Sequence, residues 1–268
     1  LFSTVKVYEL LKVLEKNLYK NKYFKKKNYS NKNLSCKKHY DIVINCNYSH
    51  SITKKYFSKK IIKKYNSLAY TTIIKHKKIL NNTAVQIFTK KGPLAYLPIS
   101  DNETSIVYSF HNSIYKKKEN IEELIKKYNY KYEIEKIEKV EKFELMSLNL
   151  RSYHHHNILA FGDILHKIHP LAGQGFNMTI RDIKILITLI KNRLELGLPL
   201  DSSINIQFES ILKHKNFIFS NGIDLIHELF NIERKSKNNI LSKSIQYFGK
   251  YSSVNKIFTK IADKGIVF

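Results

Sequence analysis

Asn157-Ile158-Leu159-Ala160-Phe161-Gly162-Asp163-Ile164-Leu165-His166-Lys167-Ile168-His169-Pro170-Leu171-Ala172-Gly173-Gln174-Gly175-Phe176-Asn177 is the stretch whose reading decides the fold. Its first five residues are a short bounded apolar run, which predicts a buried strand. Gly162, Gly173 and Gly175, three of the eight glycines in the chain, follow within sixteen residues. An amphipathic pattern beginning near Asn177 then predicts a helix. A strand, a carboxylate at its end, a glycine-bearing turn and a helix N-terminus make a site for a polar, electron-rich ligand.

The pattern changes on both sides of this segment. Val7, Leu10, Leu11, Leu14 and Leu18 recur at helical spacing. Residues 20–39 are rich in Lys and Asn and read as a solvated hairpin or loop, and 41–45 as a short buried strand. From Leu68 onward, β-prone runs at 68–74, 84–89, 94–99 and 105–110 alternate with turn residues such as Asn81-Asn82 and Asp101-Asn102. Ile121, Leu124, Ile125 and Tyr128 predict a short helix, and extended structure returns over 130–150. Beyond the deciding segment, Ile183, Ile187, Ile190 and Leu194 predict the core-facing stripe of a helix that Gly197 and Pro199 stop. The remainder reads as two or three helices, with Phe208, Ile211, Leu212, Ile223, Ile226, Leu229 and Phe230 as core candidates.

The expected class is therefore α/β (α+β). The expected domains are 1–62, the remaining first part of a Rossmann-like cofactor domain; 63–150, an inserted, mostly antiparallel sheet; 151–197, the second part of the cofactor domain; and 198–268, a helical C-terminal region.

Composition narrows the function classes. With 268 residues and 43% hydrophobic content, the chain can bury a sizeable core and is too apolar for global disorder. Cys36 and Cys46 are too few for a disulfide framework or a cysteine zinc site, so a reducing cytoplasm is expected. No apolar run approaches the roughly 18 residues of a membrane span, and no signal-peptide pattern opens the chain. The first residue is Leu1 rather than Met, from which a fragment is expected. A formal charge of +25 raises nucleic acid as a partner. Yet Arg151, Arg181, Arg193 and Arg234 are the only arginines, the lysines are spread, and the Lys, Asn, Ile and Tyr excess fits AT-rich coding. Guanine and phosphate recognition favours the planar fork of arginine. No nucleic-acid partner is expected, whereas anionic lipid headgroups suit a lysine-rich surface.

Asp163 at a strand end can accept hydrogen bonds from vicinal hydroxyls of a sugar or ribityl chain. Gly173 and Gly175 are expected to permit close backbone approach and positive φ. The positive end of the following helix stabilises a ring that becomes anionic on reduction, as a flavin does.

Gly162-Asp163, then His169-Pro170-Leu171-Ala172-Gly173-Gln174-Gly175-Phe176-Asn177, then Arg181-Asp182, resembles the second FAD-binding motif of the class A FAD-dependent aromatic hydroxylase superfamily, the para-hydroxybenzoate-hydroxylase-like proteins. It is most similar to their ubiquinone-biosynthesis hydroxylase branch. Lys91-Gly92-Pro93-Leu94-Ala95-Tyr96-Leu97-Pro98-Ile99 resembles a strand of that family's substrate domain. The resemblance implies FAD as cofactor and NAD(P)H as reductant. It implies hydroxylation by O2 of a prenylated phenol on the route to ubiquinone. Gly162, Asp163 and Pro170, Leu171, Ala172, Gly173, Gln174, Gly175, Phe176 and Asn177 would contact the flavin. Pro93, Leu94 and Leu97 would lie on the substrate side. It names no catalytic base in this chain. A peripheral contact with the inner face of a membrane, or with a biosynthetic complex, is also implied.

Two departures stand out. No GxGxxG fingerprint occurs near the N-terminus, so the chain is expected to be roughly the C-terminal two-thirds of a longer flavoprotein, inactive alone. The family's middle motif, usually Ala-Asp-Gly-x-x-Ser, reads Cys46-Asn47-Tyr48-Ser49-His50-Ser51, with Tyr where a turn-forming Gly is usual. Two alternatives stay open at this level. One is another FAD oxidoreductase or an inactive remnant; the other is a basic protein binding nucleic acid or membrane surfaces. His154-His155-His156 with His166 and His169 lacks the carboxylate or cysteine partners of a metal cluster, so no metal is expected.

Overall fold

The computed structural model describes residues 5–27, 40–89, 91–111, 120–168 and 174–236, together with Tyr247 and Lys256. They form two units, Leu1–Asn28 with Tyr65–Leu145, and Tyr29–Lys64 with Met146–Phe268. The divisions fall inside two long strands, β2 (Lys60–His76) and β7 (Glu141–Leu150).

The first unit is an antiparallel sheet. Besides β2 and β7 it holds β3 (Val85–Phe88), β4 (Pro93–Ser100), β5 (Glu103–His111) and β6 (Ile134–Ile137). The strand order is β7-β2-β5-β4-β3, with β6 paired to the end of β2. Alternation sets its faces. Tyr70, Ile74, Leu94, Tyr96, Ile106, Tyr108 and Phe110 gather in one buried cluster, which Ile121 and Ile125 of α3 (Ile121–Lys127) and Tyr132 complete. The Asn120 side chain caps α3 by accepting the Glu122 N–H at 3.0 Å.

Asn81 lies in the connection between β2 and β3, where a turn was expected, and is also a buried anchor. Its amide donates to Ser100 O at 2.7 Å and its oxygen accepts the Tyr132 hydroxyl at 3.0 Å. The predicted N-terminal helix is α1 (Val7–Tyr19). It groups with this sheet rather than with the cofactor domain, and Lys6 pairs with Glu103 at 2.6 Å.

The second unit is built on a small sheet of β1 (Val43–Asn45), β9 (Ile158–Ala160) and β8 (His154–His155), in the order β1-β9-β8. β1 and β9 run parallel, β8 and β9 antiparallel. Ile158, Leu159 and Ala160 are fully buried, as predicted. The strand predicted at 41–45 is only three residues long, and Ile44 is half exposed. α2 (Ser51–Tyr56), α4 (Gln174–Glu195) and α5 (Ser202–Ser236) complete the described elements, with β10 (His166–Lys167) paired to the end of β7.

The core of this unit joins Ile158–Phe161 to Leu186, Leu189, Ile204, Phe208 and Leu212. The buried residues of α4 are Met178, Asp182, Leu186 and Leu189, a true i, i+4, i+8, i+11 stripe. Of the stripe predicted from Ile183, Ile187, Ile190 and Leu194, Ile190 packs against this core, whereas the other three side chains are exposed. α4 ends as predicted: Gly197 takes φ 65°, and the Leu198 N–H reaches Arg193 O at 2.9 Å. Of the region predicted as two or three helices, α5 accounts for 35 residues and runs unbroken through Gly222, and the rest lies outside the described residues apart from Tyr247 and Lys256, both helical. Phe208, Leu212 and Ile223 are buried in α5, whereas the side chains of Ile226, Leu229 and Phe230 lie outside the described residues. Among the described residues no helix is long and apolar enough to cross a membrane.

Candidate functional site

Parallel pairing of β1 and β9 puts the ends of two distant segments side by side. Asn45 stands opposite Ala160, and the Phe161 N–H continues the ladder to Asn45 O at 3.0 Å. The chain leaves both strands at their carboxyl ends, the edge where open α/β sheets place ligands.

The turn after β1 carries Cys46-Asn47-Tyr48. Buried side chains hold it. Asn45 Nδ2 donates to Thr53 Oγ1 at 2.7 Å, and Thr53 Oγ1 donates to Asn47 O at 2.6 Å. Asn47 Oδ1 accepts the Ser49 N–H at 2.9 Å, and the His50 ring caps α2 by accepting the Ile52 N–H at 3.2 Å. Tyr48 therefore needs no left-handed backbone; among the described residues the non-glycine positions with positive φ are Asn66 and His156. The Tyr48 hydroxyl and ring are engaged by Lys60, whose Nζ lies 2.5 Å from Oη and 4.4 Å from the ring centroid.

The turn after β9 opens on Gly162 at φ 66°, a left-handed residue that bends the chain into a single 3-10 turn closed by the Leu165 N–H on Gly162 O at 2.9 Å. Asp163 is exposed on this turn, and its carboxylate has no hydrogen-bond partner among the described residues. β10 follows, then Ile168. His169, Pro170, Leu171, Ala172 and Gly173 lie outside the described residues, as does the Gln174 side chain.

α4 is described from Gln174, so Gly175, Phe176 and Asn177 lie in its first described turn. Gly175 is helical rather than positive in φ, which corrects the expectation from sequence; being inside the helix fixes its backbone. The first N–H groups of α4 have no intrahelical acceptors and carry the positive end of the helix dipole. A free carboxylate at a strand end, a helix N-terminus and a first-turn residue without a Cβ fit a polyol joined to a ring that gains negative charge.

Sequence reasoning missed a buried polar hub behind this segment. His166 Nε2–H donates to Asp182 Oδ2 at 2.5 Å, and both side chains are 1% exposed. The other carboxylate oxygen accepts from Asn216 Nδ2 at 3.4 Å. Tyr153, also buried, has its hydroxyl pushed far up, chiefly by burial, although a hydrogen bond with Asn216 opposes this. No sequence signal marked it, because Asp182 is in register with the buried stripe of α4, which only the structure reveals.

Elsewhere in this unit His154, Ile206, Glu209, Ser210, Lys213 and His214 line a groove of about 330 Å³. Glu209 there accepts the Tyr153 N–H at 2.8 Å and Lys213 Nζ at 2.7 Å. Among the described residues no cluster of three or more His, Cys, Asp or Glu is placed to hold a metal ion.

The three residues expected near substrate sit on β4 in the first unit, but not on one face. Pro93 and Leu97 share the partly exposed face, whereas Leu94 faces the other way and is fully buried against the α3 cluster. The period of two along a strand forbids all three from lining one surface.

A family model described as FAD binding domain matches residues 61–195. The ubiquinone biosynthesis monooxygenase COQ6, mitochondrial, of Schizosaccharomyces pombe is 24% identical over 229 residues, covering 68% of this chain and 48% of that protein. The 3-demethoxyubiquinol 3-hydroxylase of Escherichia coli K12 is 29% identical over 153 residues, covering 54% of this chain and 39% of that protein. The chain thus spans less than half the length of either relative. Among solved structures, the OxyS anhydrotetracycline hydroxylase of Streptomyces rimosus superposes with a TM-score of 0.56 at 12% identity, over 83% of this chain and 46% of that one, a likeness of fold.

Proposed function

Because this chain belongs to the FAD binding domain family, we propose that it is part of an FAD-dependent monooxygenase that hydroxylates the aromatic ring of a prenylated phenol in ubiquinone biosynthesis. NAD(P)H is the reductant and O2 the co-substrate in this reading. The curated relatives named for ubiquinone biosynthesis support the substrate class.

The observation that carries the cofactor assignment is the exposed Asp163 carboxylate, without a partner among the described residues, at the carboxyl end of β9. Asp163 would accept hydrogen bonds from the ribityl hydroxyls. Gly162 and Gly175, with Phe176, Asn177 and the N–H groups opening α4, would face the ring, and the connection Pro170, Leu171, Ala172, Gly173 and Gln174 would wrap it. Bound flavin would supply the redox chemistry and the activation of O2. The chain's own part is orientation, exclusion of water and a positive helix end toward charge that develops on reduction. Pro93 and Leu97 would present an apolar strand face to the phenol, with Leu94 supporting them from the core. A lipid-tailed substrate suits a peripheral position on the inner face of a membrane, or in a biosynthetic complex, reached from the cytoplasm.

Titration of the purified chain with FAD, followed by flavin fluorescence, tests this reading. Saturable binding is expected, weakened about tenfold or more in Asp163→Ala with unchanged thermal stability. A chain that binds no flavin, or an Asp163→Ala variant that binds it equally well, overturns the assignment.

A further inference from the structure

α1 buries none of its residues. A helix held in a domain by its apolar face hides that face. Here Val7, Leu11, Leu14 and Leu18 recur at i, i+4, i+7 and i+11, share one face, and are all exposed, from 72% at Val7 to 46% at Leu18. Within α1 only Leu10 is partly buried, and the start of the helix is tied to the sheet by the Lys6–Glu103 pair. Chemistry is graded around the helix. Tyr8 and Tyr19 stand beside the stripe, both exposed, and Lys12 and Lys16 lie opposite it. Lys12 Nζ sits 4.7 Å from the Tyr8 ring centroid and Lys26 Nζ 5.7 Å from that of Tyr19. Glu15, the one carboxylate beside the stripe, is paired with Lys26 at 3.2 Å. Lys20, Lys22, Lys25, Lys26 and Lys27 follow the helix, with Tyr23 exposed among them. An apolar stripe, tyrosine rings at its border and a lysine-rich polar face are what a helix lying in a membrane interface requires. A second copy of the chain on this stripe would bring lysines against lysines. A nucleic acid would use the lysines and leave the stripe in water. An anionic lipid surface uses both, because the ammonium groups reach the phosphates on long apolar stems.

We propose that α1 lies on the surface of an anionic bilayer, with Val7, Leu11, Leu14 and Leu18 immersed at the acyl boundary, Tyr8 and Tyr19 at headgroup level, and the lysines of residues 20–27 drawn to the lipid phosphates. This names the surface for the peripheral membrane position proposed above; it rests on that position and not on the flavin site. Apolar contact and charge act together here, since the stripe supplies the burial and the lysines supply the preference for anionic lipid.

The test is flotation of the full chain with vesicles of phosphatidylcholine alone and of phosphatidylcholine mixed with phosphatidylglycerol. Binding is expected to the mixed vesicles, weakening as salt rises, and about tenfold or more weaker to phosphatidylcholine alone. The variant Leu11→Gln/Leu14→Gln removes apolar surface from an exposed face and keeps good helix formers there. It is expected to bind the mixed vesicles about tenfold or more weaker, with its circular dichroism, thermal midpoint and FAD titration unchanged. Amide hydrogen exchange over 7–19 is expected to slow when mixed vesicles are added, while that of β5 stays as it was. Undiminished vesicle binding by the double variant, or exchange over 7–19 that vesicles do not alter, overturns the role of α1 and leaves the peripheral position standing. Absence of binding to either vesicle overturns both. A concentration-dependent dimer that the same two substitutions abolish, without vesicle binding, would assign the stripe to a second copy and overturn the proposal. Preference for a DNA duplex over the mixed vesicles would overturn it as well.

Discussion

A Cβ added to Gly175 would meet Ile168 Cγ1 at 3.9 Å, an ordinary van der Waals distance. Packing does not require glycine there, and neither does the backbone, which is helical. Glycine in a helix costs up to about 1 kcal/mol relative to alanine. Gly175→Ala should therefore raise stability by up to about 1 kcal/mol. The same methyl, at the mouth of the proposed flavin site, should weaken FAD binding. Denaturant midpoints and flavin titration on one preparation check both halves, and gains in stability and affinity together would contradict the prediction.

Gly92 is the opposite case. It sits at φ 153° beside β5, and an added Cβ would lie 2.0 Å from Ser109 O. Backbone strain and a clash with a strand carbonyl act together, so Gly92→Ala should destabilise the chain by about 2–4 kcal/mol. Urea unfolding measures this directly.

Thr53 holds the turn after β1 through two hydrogen bonds, accepting from Asn45 Nδ2 at 2.7 Å and donating to Asn47 O at 2.6 Å. Thr53→Val keeps the shape and removes both bonds, leaving the buried Asn45 amide without its partner. A loss of about 1–3 kcal/mol is expected. Thr53→Ser should recover most of it, since the hydroxyl returns.

The Glu209 carboxylate is held below its usual range. Burial alone would raise it, but hydrogen bonds from Lys213 and the Tyr153 N–H, with the nearby His154, outweigh that. A depressed folded value means that its stabilisation is fully present above the ordinary glutamate value of about 4.3 and fades as pH falls through the folded value. Glu209→Gln should lower the thermal midpoint at pH 7, and the two curves should converge as pH falls through the depressed folded value. A constant gap across that range would contradict the prediction.

How much of this was readable from residues depends on how local the determinant was. The strand at 158–160, the glycine that turns the chain after it and the Gly197 stop are local features of apolar runs and backbone φ, and all three were legible. The alternating runs of the antiparallel sheet were legible for the same reason. The buried face of α4 was not. Apolar residues occupy more than one side of that helix, and only its tertiary partners, chiefly α5 and the turn after β9, select Met178, Leu186 and Leu189 over Ile183 and Ile187. Asn81 and Asn216 look like turn and surface residues in sequence. Their buried roles depend on Tyr132, 51 positions away from Asn81, and on Asp182, 34 positions from Asn216. The substrate-side prediction for Leu94 followed a motif without regard to strand parity, which alone decides which neighbours share a surface.

Lys60 and Tyr48 bear on how this lineage can change. An aromatic residue stands where related motifs use glycine, and the turn keeps its course because side chains, not a left-handed backbone, define it. Contacts with the lysine add a modest stabilisation, about 0.5–1 kcal/mol for an ammonium over an exposed ring. A glycine at position 48 would forfeit that contribution and enlarge the unfolded ensemble, with no strained conformation to relieve in return. The two positions are thereby yoked: a change at either one alters what the other contributes.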